Sequence, residues 1–457
     1  MRKTLLVLGL CLSGLSAALA QNPVPFVSQP LVPDVVAPGS PSFTLTVHGS
    51  GFLTGAAVEW NGTKLKTRVL DRQTLLATVP ANLVATPTTG LINVVNAGNK
   101  VRSNTALLPV TNPESTFRLT GGGELETIDC PTGIAAADFD GDGKLDYVSS
   151  VDIFTGGESN YAKSVLVAFS SGTGAFKINK ISLGQRPGGL ATGDFNGDGQ
   201  TDFAVVLDDL GVASVKVFLQ SGGFFHSVGT FSAGILPNNI VTGDLNLDGK
   251  LDFAVEDRDG DSVVILLGNG DGTFAAGQTF AVADGPVGIT IGDLNGDGTL
   301  DLAVPSQDGP VSVALGVGDG TFGAVTNYNG GAGPSSATAA HFNGDGIPDL
   351  AVANYNSEGI LLGNGDGSFQ PVRNYSTGRS ATDSIFADFD GDGHLDIAVS
   401  TEQGVSFLRG NGDGTFQPHI NVDGSLFLQH LVAGDFKIDG HVDIVSNAIN
   451  SIYVLLQ

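Results

Sequence analysis

Residues 138–146 read Asp-Phe-Asp-Gly-Asp-Gly-Lys-Leu-Asp, and this nine-residue pattern decides the fold. It returns from Asp194, Asp244, Asp293, His341, Asp388 and Asp435, at steps of 56, 50, 49, 48, 47 and 47 residues. Seven copies at near-equal steps are the signature of stacked supersecondary units. Behind each copy comes a buried-strand run, such as Phe-Ala-Val-Val at 203–206 or Ile-Ala-Val at 397–399. A second apolar run follows, Val-Val-Ile-Leu-Leu at 263–267, and then the turn Gly-Asn-Gly-Asp-Gly-Thr-Phe at 268–274. That turn recurs ending at Phe322, Phe369 and Phe416, with looser versions ending at Phe176 and Phe225. Each unit thus reads as about four short strands with no room for a helix. Radial packing of such units predicts an all-β chain built on a seven-bladed β-propeller. An open β-solenoid is the alternative, and it would need end caps that the sequence lacks.

The two ends of the repeat region bear on closure. The seventh unit stops at Tyr-Val-Leu-Leu-Gln, 453–457, before its turn and outer strand. A strand-like segment, Ser115 to Leu119, precedes the first pattern. The expectation is that this segment completes the last blade, closes the ring and removes both exposed edges.

The repeated pattern is also a candidate metal loop. Positions 1, 3, 5 and 9 carry side-chain oxygens, position 7 can offer its carbonyl, and Gly at position 6 permits the sharp turn. Hard oxygen donors in a flexible loop favour Ca²⁺ over Zn²⁺ or Cu²⁺, and Mg²⁺ prefers a tighter octahedral cage. Five loops have oxygen side chains at all four positions, so about five Ca²⁺ sites are expected. Two loops depart from the pattern: His341 takes position 1 of the fifth, and Lys437 takes position 3 of the seventh. The Lys437 ammonium is expected to neutralise Asp435, Asp439 and Asp443 internally, and the His341 loop to bind weakly. An EF-hand is excluded, because position 12 holds Ser149, Val205, Val255, Val304, Val352, Val399 and Ser446 where a bidentate Glu is required. An Asp/Asn/Gly run is by itself an ordinary turn; seven copies in register are what argue for metal.

Together these motifs resemble the FG-GAP/VCBS repeat family, the propeller type of integrin α-subunits. The resemblance rests on the seven Asp loops, the Phe-Asn-Gly-Asp-Gly pattern at 195–199 and the Gly-Asn-Gly-Asp-Gly-Thr-Phe turns, and it covers about residues 115–457. It implies loops that bind Ca²⁺ and brace the blades, with ligands engaged elsewhere by variable loops. The implied ligands of the first loop are Asp138, Asp140, Asp142, Asp146 and the Lys144 carbonyl. Those of the second are Asp194, Asn196, Asp198, Asp202 and the Gln200 carbonyl. The third offers Asp244, Asn246, Asp248, Asp252 and the Lys250 carbonyl, and the fourth Asp293, Asn295, Asp297, Asp301 and the Thr299 carbonyl. The sixth offers Asp388, Asp390, Asp392, Asp396 and the His394 carbonyl.

Ahead of the repeats, residues 22–112 form a first domain without a metal-like pattern. Alternation at 43–47, Phe-Thr-Leu-Thr-Val, and the Asn-Gly pair inside Val-Glu-Trp-Asn-Gly-Thr at 58–63 predict short strands and a tight hairpin. Strand-like pieces at roughly ten-residue spacing suggest a β-sandwich. The segment resembles the IPT/TIG family of immunoglobulin-like domains, through Pro-Gly-Ser at 38–40, Gly-Ser-Gly-Phe at 49–52, the hairpin and Val-Pro-Ala at 79–81. Such domains act as spacers or binding modules. The first 20 residues read as a signal peptide: Arg2 and Lys3, an apolar run from Leu5 to Leu15, and Ala18-Leu19-Ala20 as the cleavage site. The expected location is secreted, cell-surface or periplasmic, with no transmembrane segment in the mature chain. Only Cys130 would then remain, so no intrachain disulfide can form.

Composition narrows the function classes. The 457 residues carry 47 Asp plus Glu against 21 Lys plus Arg, a net charge of −26. Nucleic acid is excluded as the main partner. The seven loops hold 22 of the acidic residues, so much of the charge is for metal. No nucleophile elbow, zinc-protease, Cys-x-x-Cys or phosphate-loop pattern occurs. The expectation is a non-enzymatic calcium-binding interaction protein, for adhesion or for binding an extracellular protein or glycan. The alternative is a secreted carbohydrate-active enzyme, a lyase or hydrolase, because abundant Asp can hide a carboxylate pair. The long first-repeat connection from Val151 to Lys163 is a candidate ligand site, since insertions in repeats tend to mark binding faces.

Overall fold

The computed structural model describes residues 22–113, 119–126, 130–152, 163–209, 212–422, 427–448 and 451–457. The signal-peptide reading and most of the 151–163 insertion lie outside them. Among the described residues the chain is all-β, with nine four-stranded antiparallel sheets.

Seven of the sheets follow the sequence repeat. The first pairs Cys130–Ala137, Asp146–Asp152, Ser164–Ser170 and Phe176–Ser182 in order. The next five repeat that meander, opening at Pro187, Pro237, Thr290, Pro334 and Asp383. In every one the acidic loop joins the first strand to the second, and position 9 is the first residue of the second strand. The second strands are buried on both faces, as at Asp252–Asp257 and Asp396–Thr401. This is why they read as unbroken apolar runs rather than as alternation. The fourth strands lie outermost and alternate, as Phe224–Ser232 does.

First strands touch first strands from each sheet to the next, and that of the seventh touches that of the first, so the contacts close into a cycle. Apolar clusters fill the gaps between neighbours. At the junction of last and first sheets, Tyr147 and Leu166 pack with Val445, Ile452 and Val454. Between the second and third, the Phe195 and Phe253 rings meet edge-on at 4.9 Å. Each fully buried side chain of this kind is worth about 1.5–3 kcal/mol.

The seventh sheet pairs Leu428–Gly434, Asp443–Ala448 and Ser451–Leu456 with Thr120–Glu126. An N-terminal strand therefore pairs with the last sheet, while Ser115 to Arg118 of the segment expected to do so lie outside the described residues. The described strand is Thr120–Glu126, whose Gly123 sits opposite Val454 and Glu126 opposite Ser451. The glycine-rich run at 121–123 scores poorly as a strand on propensity. Pairing with an otherwise open edge overrides that preference.

The remaining two sheets lie in residues 26–110. One pairs Phe26–Val32, Phe43–Ser50, Thr74–Val79 and Lys66–Val69; the other pairs Thr63–Lys64, Ala57–Trp60, Thr88–Val95 and Ala106–Val110. One core joins them, with Leu45, Val47 and Leu75 against Val58, Trp60 and Ile92. The Asn-Gly hairpin forms as read: Trp60 pairs with Thr63, and Asn61 and Gly62 take φ of 46° and 75°.

Candidate metal centre

Each acidic loop is wound around its own carboxylates. Asp138 accepts the Gly141 and Asp142 N–H groups on Oδ1, at 2.8 and 3.1 Å, and the Gly143 N–H on Oδ2 at 2.9 Å. Asp194 repeats all three contacts, and so does Asp388. Position 5 then accepts the N–H of position 7: Asp142 from Lys144, Asp198 from Gln200, Asp248 from Lys250, Asp297 from Thr299 and Asp392 from His394. The position-7 carbonyl is thereby aimed by the turn, whatever its side chain. Glycine at position 6 makes this possible, with φ of 83° at Gly143 and 90° at Gly298.

Positions 1, 3 and 5 converge. Asp138, Asp140 and Asp142 each place a carboxylate oxygen within 4.8 Å of the others, and Asp388, Asp390 and Asp392 do the same. In the second, third and fourth loops the middle position is Asn196, Asn246 or Asn295. Asn196 and Asn295 donate to Asp198 and Asp297 through Nδ2, at 3.0 and 2.9 Å. The donor set is oxygen throughout and fits a hard divalent cation. Burial pushes Asp138, Asp194 and Asp293 above the ordinary carboxylate range, and Asp388 to about 7. Closely placed, half-desolvated carboxylates of this kind favour a cation that would neutralise them. Protein cations partly serve that need. Lys144 pairs with Asp142, Lys250 with Asp248 at 3.3 Å and Arg409 with Asp390 at 3.4 Å.

Position 9 stands apart from the other three. Asp146, Asp202, Asp252, Asp301, Asp349, Asp396 and Asp443 are all buried. In each, one oxygen accepts the position-2 N–H, as Asp301 does from Leu294 at 2.8 Å, and the other accepts an N–H at the end of the third strand, as from Gly316 at 2.8 Å. These carboxylates tie three strands of a sheet together. Burial lifts Asp301 to about 7 and Asp396 to about 8. Sequence reading took position 9 only as a ligand. A signal for the second role was available: the residue is Asp in all seven repeats, including the two loops that lost a ligand elsewhere.

The position-2 carbonyl is also used, by the neighbouring sheet. Gly272 donates to Phe195 at 3.0 Å, Gly320 to Leu245 at 3.1 Å and Gly414 to Phe342 at 3.1 Å, each from a Gly-Asp-Gly turn. Gly174 donates to Phe436 across the ring closure at 3.2 Å. Where that turn is absent, a glutamine substitutes: Gln220 reaches Phe139 at 3.2 Å and Gln457 reaches Phe389 at 2.9 Å.

The two divergent loops are built differently. His341 is buried, its N–H donates to the Gln29 carbonyl at 3.1 Å, and burial depresses its pKa to about 4, leaving a neutral imidazole. Lys437 pairs with Asp439 at 2.9 Å and also donates to the Gln457 carbonyl.

Sequence reasoning missed how closely residues 22–110 cover this face. Val24 donates its N–H to Asp244 Oδ2 at 2.8 Å. Gln73 reaches Asp293 at 3.3 Å and the Gly296 carbonyl at 2.6 Å. Arg102, paired with Glu59 at 2.7 Å, donates to the Gly199 carbonyl at 3.1 Å. A cavity of about 570 Å³ remains over the first three loops, walled by Asn61 and Arg102 on one side and by Asp138, Asp194 and Asp244 on the other. No residue type or spacing marks such long-range partners in a sequence.

Comparison with known proteins adds the family. The FG-GAP-like repeat model matches residues 194–255, 244–304, 300–352, 341–399 and 388–446. No curated protein matches the sequence. Similar solved structures include a lectin of Agrocybe aegerita that recognises non-reducing terminal N-acetylglucosamine, 20% identical, covering 80% of this chain and 96% of that one, with a TM-score of 0.46. An auxiliary nutrient binding protein from Bacteroides ovatus is 10% identical over 94% of this chain and 97% of that one, TM-score 0.43. A protein from Lactobacillus plantarum is 12% identical over 81% and 97%, TM-score 0.49. These likenesses concern the fold alone.

Proposed function

The chain belongs to the FG-GAP-like repeat family, and from that premise we propose that it is an exported, calcium-braced interaction protein. In this reading the seven repeat sheets are the blades of a propeller over residues 115–457. The two sheets before them form an immunoglobulin-like module over residues 22–112. The observation that carries the calcium reading is the convergence of Asp138, Asp140 and Asp142, and of Asp388, Asp390 and Asp392, on common points. Five loops would hold Ca²⁺, those starting at Asp138, Asp194, Asp244, Asp293 and Asp388. A bound ion would neutralise the loop and stiffen the turn between first and second strands.

The acidic-loop face is largely taken up by residues 22–110, so the opposite face is the one left for partners. That face carries the strand openings and the described connections between second and third strands. The ligand would be an extracellular protein or a glycan. Among the described residues no helix is long and apolar enough to cross a membrane. An array of glycans and surface proteins, probed with the mature protein with and without Ca²⁺, tests the reading. Calcium-dependent capture is expected. Turnover of a polysaccharide, seen as new reducing ends or unsaturated products, would replace binding by catalysis.

A further inference from the structure

We propose that the axial cavity at the strand-opening end of the ring binds a protonated primary amine. The proposal rests on the interaction reading above and narrows it to one place and one chemistry. Five positions before the first residue of each acidic loop, every repeat contributes one residue to this cavity. Three are glycine: Gly133, Gly189 and Gly288. Four are polar: Asn239, Ser336, Asp383 and His430. Five strand residues span roughly 16 Å, so this ring lies well away from the acidic loops, and no residue of those loops lines it.

The residue types divide the labour. A Cβ at Gly189 would lie 2.9 Å from the Asn238 carbonyl, and one at Gly133 would lie 3.0 Å from that of Gly188. Neighbouring backbone therefore fills the place of a side chain at these glycines, and polar side chains occupy the other four positions. The space left is about 170 Å³, enough for a small head group.

Asn239 and Asp383 supply the acceptors. Asn239 spends its Nδ2 on Glu256 Oε2 and the Val287 carbonyl, both at 3.2 Å, which leaves its Oδ1 for the cavity. Asp383 is held in place by the Ser384 N–H at 2.9 Å and the Leu431 N–H at 3.1 Å. Its remaining lone pairs are free to accept. Ser336 Oγ is buried without a hydrogen-bond partner. His430 Nδ1 stands 3.8 Å from Asp383 Oδ2. No Lys or Arg lines the cavity. An alkylammonium brings three donors and one positive charge to this set, and the net charge of −26 draws it in.

The test titrates n-butylamine, Nα-acetyl-lysine amide and the neutral isostere n-butanol into the full chain, followed by calorimetry. Both amines should bind saturably and n-butanol should not. Equal affinity for the two amines assigns recognition to the ammonium alone; preference for the lysine amide assigns a peptide side chain as its source. Asp383→Asn should weaken both amines roughly tenfold or more. Ser336→Leu loses no hydrogen bond and adds bulk at one of the seven lining positions, so it should abolish binding and carries the test if Asp383→Asn fails to fold. Absent amine binding, binding unchanged in Ser336→Leu, or n-butanol binding as tightly as n-butylamine each overturn the site. A protein or glycan captured equally by Ser336→Leu would leave the interaction reading standing and remove this site from it.

Discussion

Asp301 Oδ2 accepts the backbone N–H of Leu294, seven residues earlier, at 2.8 Å, and the equivalent bond recurs in every repeat. It separates two jobs within one loop. Asp297, on the exposed side, holds only its own loop. Asp301→Ala strands two buried N–H groups, and each costs about 1–3 kcal/mol. We expect a loss of roughly 2–5 kcal/mol in denaturant unfolding for Asp301→Ala. Asp297→Ala should lose far less in chelator. Equal losses in chelator would show that position 9 has no larger structural role than position 5.

Much of this was legible in the sequence because the repeat is internal. Seven copies fixed the period, the four-strand unit and the loop positions, and the apolar runs at 203–206 and 263–267 lie in strands as read. Other features were not legible. The closing strand went to a glycine-rich segment because an open edge recruits whatever backbone reaches it. The contacts of Val24 and Gln73 with Asp244 and Asp293 are 220 residues apart in the chain, and nothing local encodes them. The axial ring was written in the sequence at a constant offset, yet its residue types vary too much to be seen as one motif.

Calcium should be countable. Elemental analysis after dialysis against micromolar Ca²⁺ should give about five ions per chain if sensor-range affinities apply. Asp297→Ala should remove one. Each site that binds only the folded form adds about 2.7 kcal/mol at a hundredfold excess over its dissociation constant. Chelation should therefore lower the melting temperature markedly. A melting curve indifferent to chelator, with no metal retained, would end the calcium reading.

The fifth loop offers a gain of function. His341 occupies position 1, while Asn343, Asp345 and Asp349 keep the remaining oxygens. His341→Asp restores the pattern and should raise the calcium count by one. In chelator the same variant should be less stable than the parent, because it buries another unpaired carboxylate. In saturating Ca²⁺ the order should reverse. An unchanged count would mean that the Gln29 side of the loop, not the residue at position 1, closes this site.

Glu358 gives a pH dependence independent of the loops. It is wholly buried, and burial pushes its carboxyl up to about 8, with the Asp383 charge adding to the effect and the Ser384 hydroxyl opposing it. The folded state therefore holds a proton that the unfolded chain releases near its ordinary value. Stability from this group is complete below the unfolded pKa and is lost as pH rises towards about 8. Glu358→Gln should melt with the parent at pH 4.5, but above it at pH 8 by a margin on the order of a few kcal/mol. Parallel curves across that range would place the proton elsewhere.

Ring closure can be tested at the backbone. Gly123 pairs with Val454, and Thr120–Glu126 is the outermost strand of the sheet made by Leu428–Gly434, Asp443–Ala448 and Ser451–Leu456. Deleting 120–126 leaves Ser451–Leu456 as an unpaired edge whose Ile452, Leu455 and neighbours are buried in the closed form. An exposed apolar edge of this kind pairs with other copies. We expect concentration-dependent association by light scattering and a large drop in melting temperature. Gly123→Pro is the milder probe, since proline cannot donate to a ladder, and it should lie between the deletion and the parent. Deleting 114–118 instead should matter less, because those residues precede the paired strand. A monomeric deletion of 120–126 that melts with the parent would show that the ring holds shut through the contacts of the Cys130–Ala137 and Leu428–Gly434 strands alone.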